Sequence, residues 1–225
     1  MGRGFSWLVF IIGSLMLVVQ PASASITTYT DSTVFNSAIA GYTATTVNFD
    51  SLTGLPITPV PSIGGITFSG TFSVPGEDLA ILNTFDTTSP LNYLGTTDPS
   101  GAFFPGDTLK MDFSPVNALG MFIIIDSTPF AGDFSLITSQ GTALSSATVE
   151  ETLTGLGGGN VIFLGLTSPS IFNSATLSID PSAGYQYNVD DITTASQPPA
   201  PTPEPGTFVL LGSGFVLFFR RFRKA

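Results

Sequence analysis

Short β-favouring runs broken by Gly, Pro, Asp and Ser set the texture of this chain. The segments that read as strands are Thr45–Phe49, Ile66–Phe72, Thr108–Phe113, Ala118–Ile125, Asp133–Thr138, Thr148–Leu153, Val161–Leu166, Ala175–Ile179 and Tyr185–Ile192. Alternation is clearest where Leu109, Met111 and Phe113 share one face and Lys110 and Asp112 the other. One short helix is expected, capped by Asp31 and carrying Phe35, Ala38 and Ile39 on its apolar side. Many short strands and little helix predict an all-β antiparallel β-sandwich, jelly-roll-like in form. The polar stretch from Thr84 to Gly106 has no period and reads as a large surface loop or as strands with a masked pattern.

Two apolar runs at the ends stand apart from this pattern. Phe5 to Val19 follows Arg3 and precedes Gln20-Pro21-Ala22-Ser23-Ala24, which has the form of a secretory signal peptide with Ala22 and Ala24 at the cleavage positions. Export through the Sec translocon is the expectation. The second run, Thr207 to Phe219, is followed by Arg220, Arg221, Phe222, Arg223 and Lys224. A basic cluster there keeps the tail cytoplasmic and places everything before it outside. Ala195 to Pro205 is dense in proline and forms a stiff spacer. The expected organisation is a signal peptide at 1–24, an outer domain at 25–194, a linker at 195–205 and a transmembrane segment with basic tail at 206–225.

Composition narrows the function. All but Glu204 of the 16 Asp and Glu lie between Ser25 and Pro203, whereas Lys110 is the only basic residue there. So acidic a surface repels phosphate backbones, which excludes nucleic acid as a partner. The absence of histidine removes His-based triads and imidazole–zinc sites. With no cysteine, disulfides contribute nothing. Gly155 to Asn160 lacks the Lys-Ser/Thr of a phosphate loop and reads as a turn.

The tail is the most specific motif. Pro203-Glu204-Pro205, the apolar run and the cluster of Arg220, Arg221, Arg223 and Lys224 resemble the PEP-CTERM sorting signal of Gram-negative bacteria. That resemblance implies recognition by an exosortase and a precursor held at the inner membrane. It further implies delivery to the cell surface or extracellular matrix, in the company of exopolysaccharide and biofilm. Asn48-Phe49-Asp50, Gly64-Gly65-Ile66-Thr67-Phe68 and Tyr187-Asn188-Val189-Asp190-Asp191-Ile192 resemble the β domains that carry such tails.

By resemblance to jelly-roll carbohydrate-binding domains, Asp190 is the first candidate ligand for a structural calcium, joined by Asp50 or a backbone carbonyl. The competing reading is an ordinary solvated or turn-capping aspartate, and no cofactor is certain. Asp190 and Asp191 are neighbours, so in a regular strand only one can face a given side unless a bulge intervenes. Tyr42, Tyr93, Tyr185 and Tyr187 are candidate stacking platforms for sugar, Tyr185 and Tyr187 sharing one face, with core packing as the alternative. The doublets Glu150-Glu151 and Glu77-Asp78 do not make a glycosidase pair by themselves. The expectation is a non-catalytic exported surface or matrix protein that associates with extracellular polysaccharide. The alternatives are a glycan-acting hydrolase using two carboxylates and a purely structural adhesive protein.

Overall fold

The computed structural model describes residues 25–155 and 157–199. The predicted signal peptide with Ala22 and Ala24, the Pro-Glu-Pro motif, the apolar tail and its arginines lie outside those residues. Among the described residues, no helix is long and apolar enough to cross a membrane.

In chain order the elements are β1 (Thr27–Tyr29), α1 (Ser32–Ala38), β2 (Thr43–Val47), β3 (Ile66–Thr71), β4 (Leu79–Leu82), β5 (Tyr93–Thr96) and β6 (Thr108–Ile125). They continue with β7 (Phe134–Thr138), β8 (Gly141–Leu144), β9 (Glu151–Thr152), β10 (Asn160–Ile179) and β11 (Tyr187–Ser196). Every strand pairing is antiparallel, as the sequence predicts. The expected pair of separate sheets is not what the hydrogen bonds draw. They join all eleven strands into one sheet with the central order β4-β5-β11-β6-β10-β7-β8.

The reason is the length of two strands. Thr108–Phe113 and Ala118–Ile125 are halves of β6, and Val161–Leu166 and Ala175–Ile179 are halves of β10. Pro115 and Pro169 interrupt the apolar pattern, which is why each half reads as a strand of its own. Both prolines fall near the irregularity where the β6–β10 register shifts, between Thr167 and Ser174. A residue that cannot donate is tolerated there because the ladder is already broken.

The main core is built from alternate residues of the long strands, including Leu119, Met121 and Ile123 of β6, Ile162, Leu164 and Leu166 of β10, and Val189 and Ile192 of β11. The opposite face of the same strands carries a second, smaller cluster: Ala118, Phe163 and Ala195, covered by Phe35 and Ile39 of α1. Ala195 is 1% exposed and β11 runs to Ser196, so the folded domain extends past the predicted boundary at Thr194.

Gly120 and Gly165 are paired across β6 and β10. A Cβ on Gly120 would lie 2.5 Å from Phe163 and 2.9 Å from Phe35, so the two glycines leave the hollow that seats Phe35. The expected helix is present with its expected cap: the Asp31 carboxylate accepts from the Val34 N–H at 2.9 Å. The Glu150 carboxylate also accepts from the Ser32 N–H and, at 2.7 Å, from its hydroxyl. Replacing Asp31 with alanine is expected to cost about 1 kcal/mol of unfolding free energy, measured by urea titration.

Candidate functional site

The sequence places two carboxylates side by side at Asp190 and Asp191, and the fold decides where they point. Along β11 the pairing with β6 shifts register between Asp190 and Thr193. Asp191 has φ +48°, a left-handed conformation that a regular strand does not contain. This bulge is the condition under which neighbouring side chains reach a common point. The common point is the Thr88 hydroxyl, 2.9 Å from one oxygen of each carboxylate.

Asp190 is fully buried. One of its oxygens accepts from the Ser89 N–H at 2.9 Å and lies 2.8 Å from the Ser89 hydroxyl. The other accepts from the Asp191 N–H at 2.8 Å. Burial, and then the charge of Asp191, push the Asp190 carboxyl up to about 6. Asp191 is half-buried, and its carboxyl is also raised, first by burial; the Thr88 hydroxyl opposes this and the charge of Asp50 adds to it.

Asp50 completes the acidic corner from a different direction. It follows Phe49, a bulky residue held at φ +59°. One Asp50 oxygen accepts from the N–H groups of Leu91 and Asn92, at 3.0 and 3.1 Å. The Asn92 amide in turn donates to the carbonyls of Phe49 and Leu52, at 2.8 and 3.1 Å. Asp50, Asp190 and Asp191 thus converge on the loop that joins β4 to β5. The same loop walls a groove of about 400 Å³ that includes Phe85, Asp86, Thr88, Ser89, Leu91 and Leu153. Among the described residues, no group of three or more acidic side chains is arranged to hold a metal ion.

The structure also places the other candidates. Tyr185 is 6% exposed, Tyr187 1% and Tyr93 0%, so none of the three offers a ring face to a sugar. The correction has a simple cause: all three rings are buried in the fold, Tyr93 from β5, Tyr187 from β11 and Tyr185 from the segment just ahead of β11. Tyr187 stacks on Phe103 with centroids 4.9 Å apart, and the Tyr185 hydroxyl donates to Asp133. Tyr42 is half-buried against the smaller cluster. Glu150 is engaged at the start of α1, while Glu151 lies exposed in β9. The turn read at Gly155–Asn160 connects β9 to β10, with the Leu153 N–H bonded to the Gly159 carbonyl at 2.9 Å.

Sequence reasoning named Asp190 and Asp50 but missed Thr88, Ser89 and Asn92. These lie in the aperiodic stretch, where only a Ser/Thr-rich run beside Asp86 marked the place.

Fold and site together define an antiparallel all-β protein with an acidic, loop-walled groove. Its C-terminal residues 201–224 match the PEP-CTERM protein-sorting motif, so the chain carries the tail of an exosortase substrate. That motif implies export and sorting to the cell surface through the exosortase system. No curated protein matches the chain. Among solved structures, it is similar to the catalytic domain of a GH87 alpha-1,3-glucanase in complex with nigerose, at 10% identity and TM-score 0.34, over 63% of this chain and 30% of that one. A variant of that catalytic domain in complex with tetrasaccharides matches at 11% identity and TM-score 0.32, over 63% of this chain and 29% of that one.

The expectation of a non-catalytic protein, not an enzyme, meets a finding against it, because these matches are to the catalytic domain of a glycosidase. That expectation is withdrawn. At such identity and TM-score the likeness assigns this chain no activity of its own.

Proposed function

We propose that the protein is an exported, exosortase-processed surface protein whose outer domain acts on an extracellular glycan through the carboxylate pair Asp190 and Asp191. One observation carries this reading: a single hydroxyl, that of Thr88, bridges both carboxylates at 2.9 Å at the wall of a groove.

Two hydrogen bonds meeting at one atom keep the carboxyl groups close. That suits a retaining glycosidase, whose carboxyl groups stand about 5–5.5 Å apart, better than an inverting one, which needs room for water between them. The Thr88 hydroxyl stands where a glycosidic oxygen would be held once the β4–β5 loop yields its place to substrate. Asp190, in the drier position, keeps its proton to a higher pH and is the donor to the leaving oxygen. Asp191, nearer to solvent, is the nucleophile at the anomeric carbon. As the glycosidic C–O bond breaks, the Asp190 proton passes to the departing oxygen. Asp190 then takes a proton from the water that releases the sugar from Asp191. Phe85 and the carboxylate of Asp86 line the groove and offer it an apolar wall and a sugar-hydroxyl acceptor.

The sorting tail supports a substrate outside the cell, and exopolysaccharide is the glycan such tails accompany. The test uses the full chain incubated with the producing cell's own exopolysaccharide, with new reducing ends as the readout. Release is expected from the wild-type protein, falling as pH rises through about 6, where Asp190 loses its proton. Release should be lost in Asp191→Asn. A wild-type protein that frees no reducing ends overturns the reading and leaves an adhesive structural protein; so does an Asp191→Asn variant as active as wild type.

A further inference from the structure

The central strand order ends in β4 on one side and β8 on the other, and the two ends are finished differently. At β4 the outer edge is capped, because the N–H groups of Ile57 and Ile81 each donate to the other's carbonyl, at 3.2 and 3.1 Å. Among the described residues, β8 pairs with β7 alone. Its register sets Leu136 against Ala143 and Thr138 against Gly141, and the Ser145 N–H donates to the Phe134 carbonyl at 3.0 Å. By the two-residue period of an antiparallel ladder, Ala143 and Gly141 bond inward as Ser145 does. The N–H and C=O groups of Thr142 and Leu144 are then directed away from the sheet, and both residues are exposed.

Protein edges are commonly guarded by lysine, proline or a bulge. From Phe134 to Leu144 the β7–β8 hairpin has no charged residue, no proline and an unbroken register. It carries apolar side chains instead. Ile137 and Leu144 share a face, because Ile137 opposes Thr142 and Ser135 opposes Leu144. Ile171 stands at the hairpin turn, where its carbonyl accepts from the Gln140 side chain at 3.2 Å. Phe130 stands at the other end, two residues before Gly132, whose N–H donates to the Ser145 carbonyl at 2.9 Å. Of the seven large apolar residues exposed among the described ones, these four surround one edge strand.

Charge selects the occupant. Lys110 is the only basic residue between Ser25 and Pro203, so two copies of the domain repel each other over most of their surface. The face beside β8 is an exception. Across from Ile137 stands Thr176 of β10, and across from Thr176 stands Lys110 of β6, which is paired with Asp112 at 2.8 Å. Asp133 and Asp180 lie off the end of the hairpin, the first engaged by the Tyr185 hydroxyl and the second by Ser182. A second copy arriving edge-on therefore meets a neutral face.

We propose that the protein self-associates through β8, the edge strands of two copies pairing antiparallel about a two-fold axis at Ala143. In that register Thr142 of each copy opposes Leu144 of the other, and every outward N–H and C=O of the two residues finds a partner. The contact is isologous, with the same patch on both sides. The axis stands perpendicular to the sheet, so Ile137 and Leu144 of both copies form one apolar strip. A contact this narrow is weak between two free molecules and gains strength where many copies share a surface. It needs nothing from the Asp190 corner.

The test is sedimentation equilibrium of the full chain in detergent micelles, comparing wild type with Leu144→Lys, Thr142→Glu and Val74→Lys. A monomer–dimer equilibrium is expected for wild type, tightening with salt as the acidic surfaces are screened. Leu144→Lys and Thr142→Glu should each weaken it by about tenfold or more. Mixing these two variants should restore it, since the new lysine of one copy then faces the new glutamate of the other. Val74→Lys, at an exposed apolar position away from the hairpin, should not weaken it. Both lysine variants lower the net negative charge, so a loss confined to Leu144→Lys does not come from general repulsion. Amide exchange adds a residue-level readout: protection of the Thr142 and Leu144 N–H groups should rise with protein concentration. A wild type that stays monomeric overturns the proposal. So does an association that Leu144→Lys leaves intact, or one in which those two amides stay unprotected. Protection independent of concentration overturns it too, placing a segment of the same chain on the edge.

Discussion

Replacing Asp190 with alanine is expected to lower unfolding free energy by about 3 kcal/mol, with the largest loss at acidic pH. The substitution strands the buried Ser89 N–H and hydroxyl and the part-buried Asp191 N–H. Unpaired buried donors cost about 1–3 kcal/mol each before relaxation. Against this stands the cost of the buried charge itself. Asp190 titrates near 6 in the fold, against 3.8 for an ordinary aspartate. The folded state therefore holds the proton more tightly than the unfolded chain between those values. The stability it lends is complete below about pH 4 and is lost as pH rises through 6, by about 3 kcal/mol for a shift of this size. Urea titrations of wild type and Asp190→Ala at pH 4 and pH 7.5 should thus converge at the higher pH. A gap that widened with pH would mean that Asp190 stabilises the fold as an anion, the opposite sign.

Phe35→Ala is expected to cost about 3–5 kcal/mol, the range for truncating a fully buried aromatic ring. Phe35 sits in the hollow over Gly120 and Gly165. It meets Tyr29 edge-on at 5.6 Å and Phe163 at 5.1 Å between centroids. It is also the main apolar contact of a helix only seven residues long, too short to persist without docking. The helix and the outer face of β6 and β10 should therefore lose amide-exchange protection together. Val34→Ala, on the exposed side of the same helix, is the control and should change stability by less than about 0.5 kcal/mol.

What could be read from residue order was local. The Asp31 cap and its helix, and the alternating halves of β6 and β10, follow from side-chain periods within a few positions. The joins did not, because Pro115 and Pro169 look like strand breakers until their neighbours' register is known. Strands β4 and β5 were hidden for a different reason. All four β5 residues, Tyr93 to Thr96, are buried, which leaves no alternation to detect, and the segments beside them are polar. The acidic corner was the least legible. Asp190 and Asp191 meet at Thr88 only because of a bulge. It is a product of register, which composition does not encode. Tyr185 and Tyr187 show the reverse error: period two offered them as a surface pair, whereas Tyr185 precedes β11 and both rings are buried.

The pairing of early strands with late ones has a consequence for the order of folding. β1 lies on Thr167 to Gly165 of β10, and β2 lies on Ser196 to Ile192 of β11. The first folded segments of the domain therefore have no template until the last ones have been made and moved. Closing loops of this length is entropically slow, and local contacts give little early return. A chain wired in this way can form its local hairpins early, but β1 and β2 find their partners only when β10 and β11 are available, so the sheet closes last where the chain began.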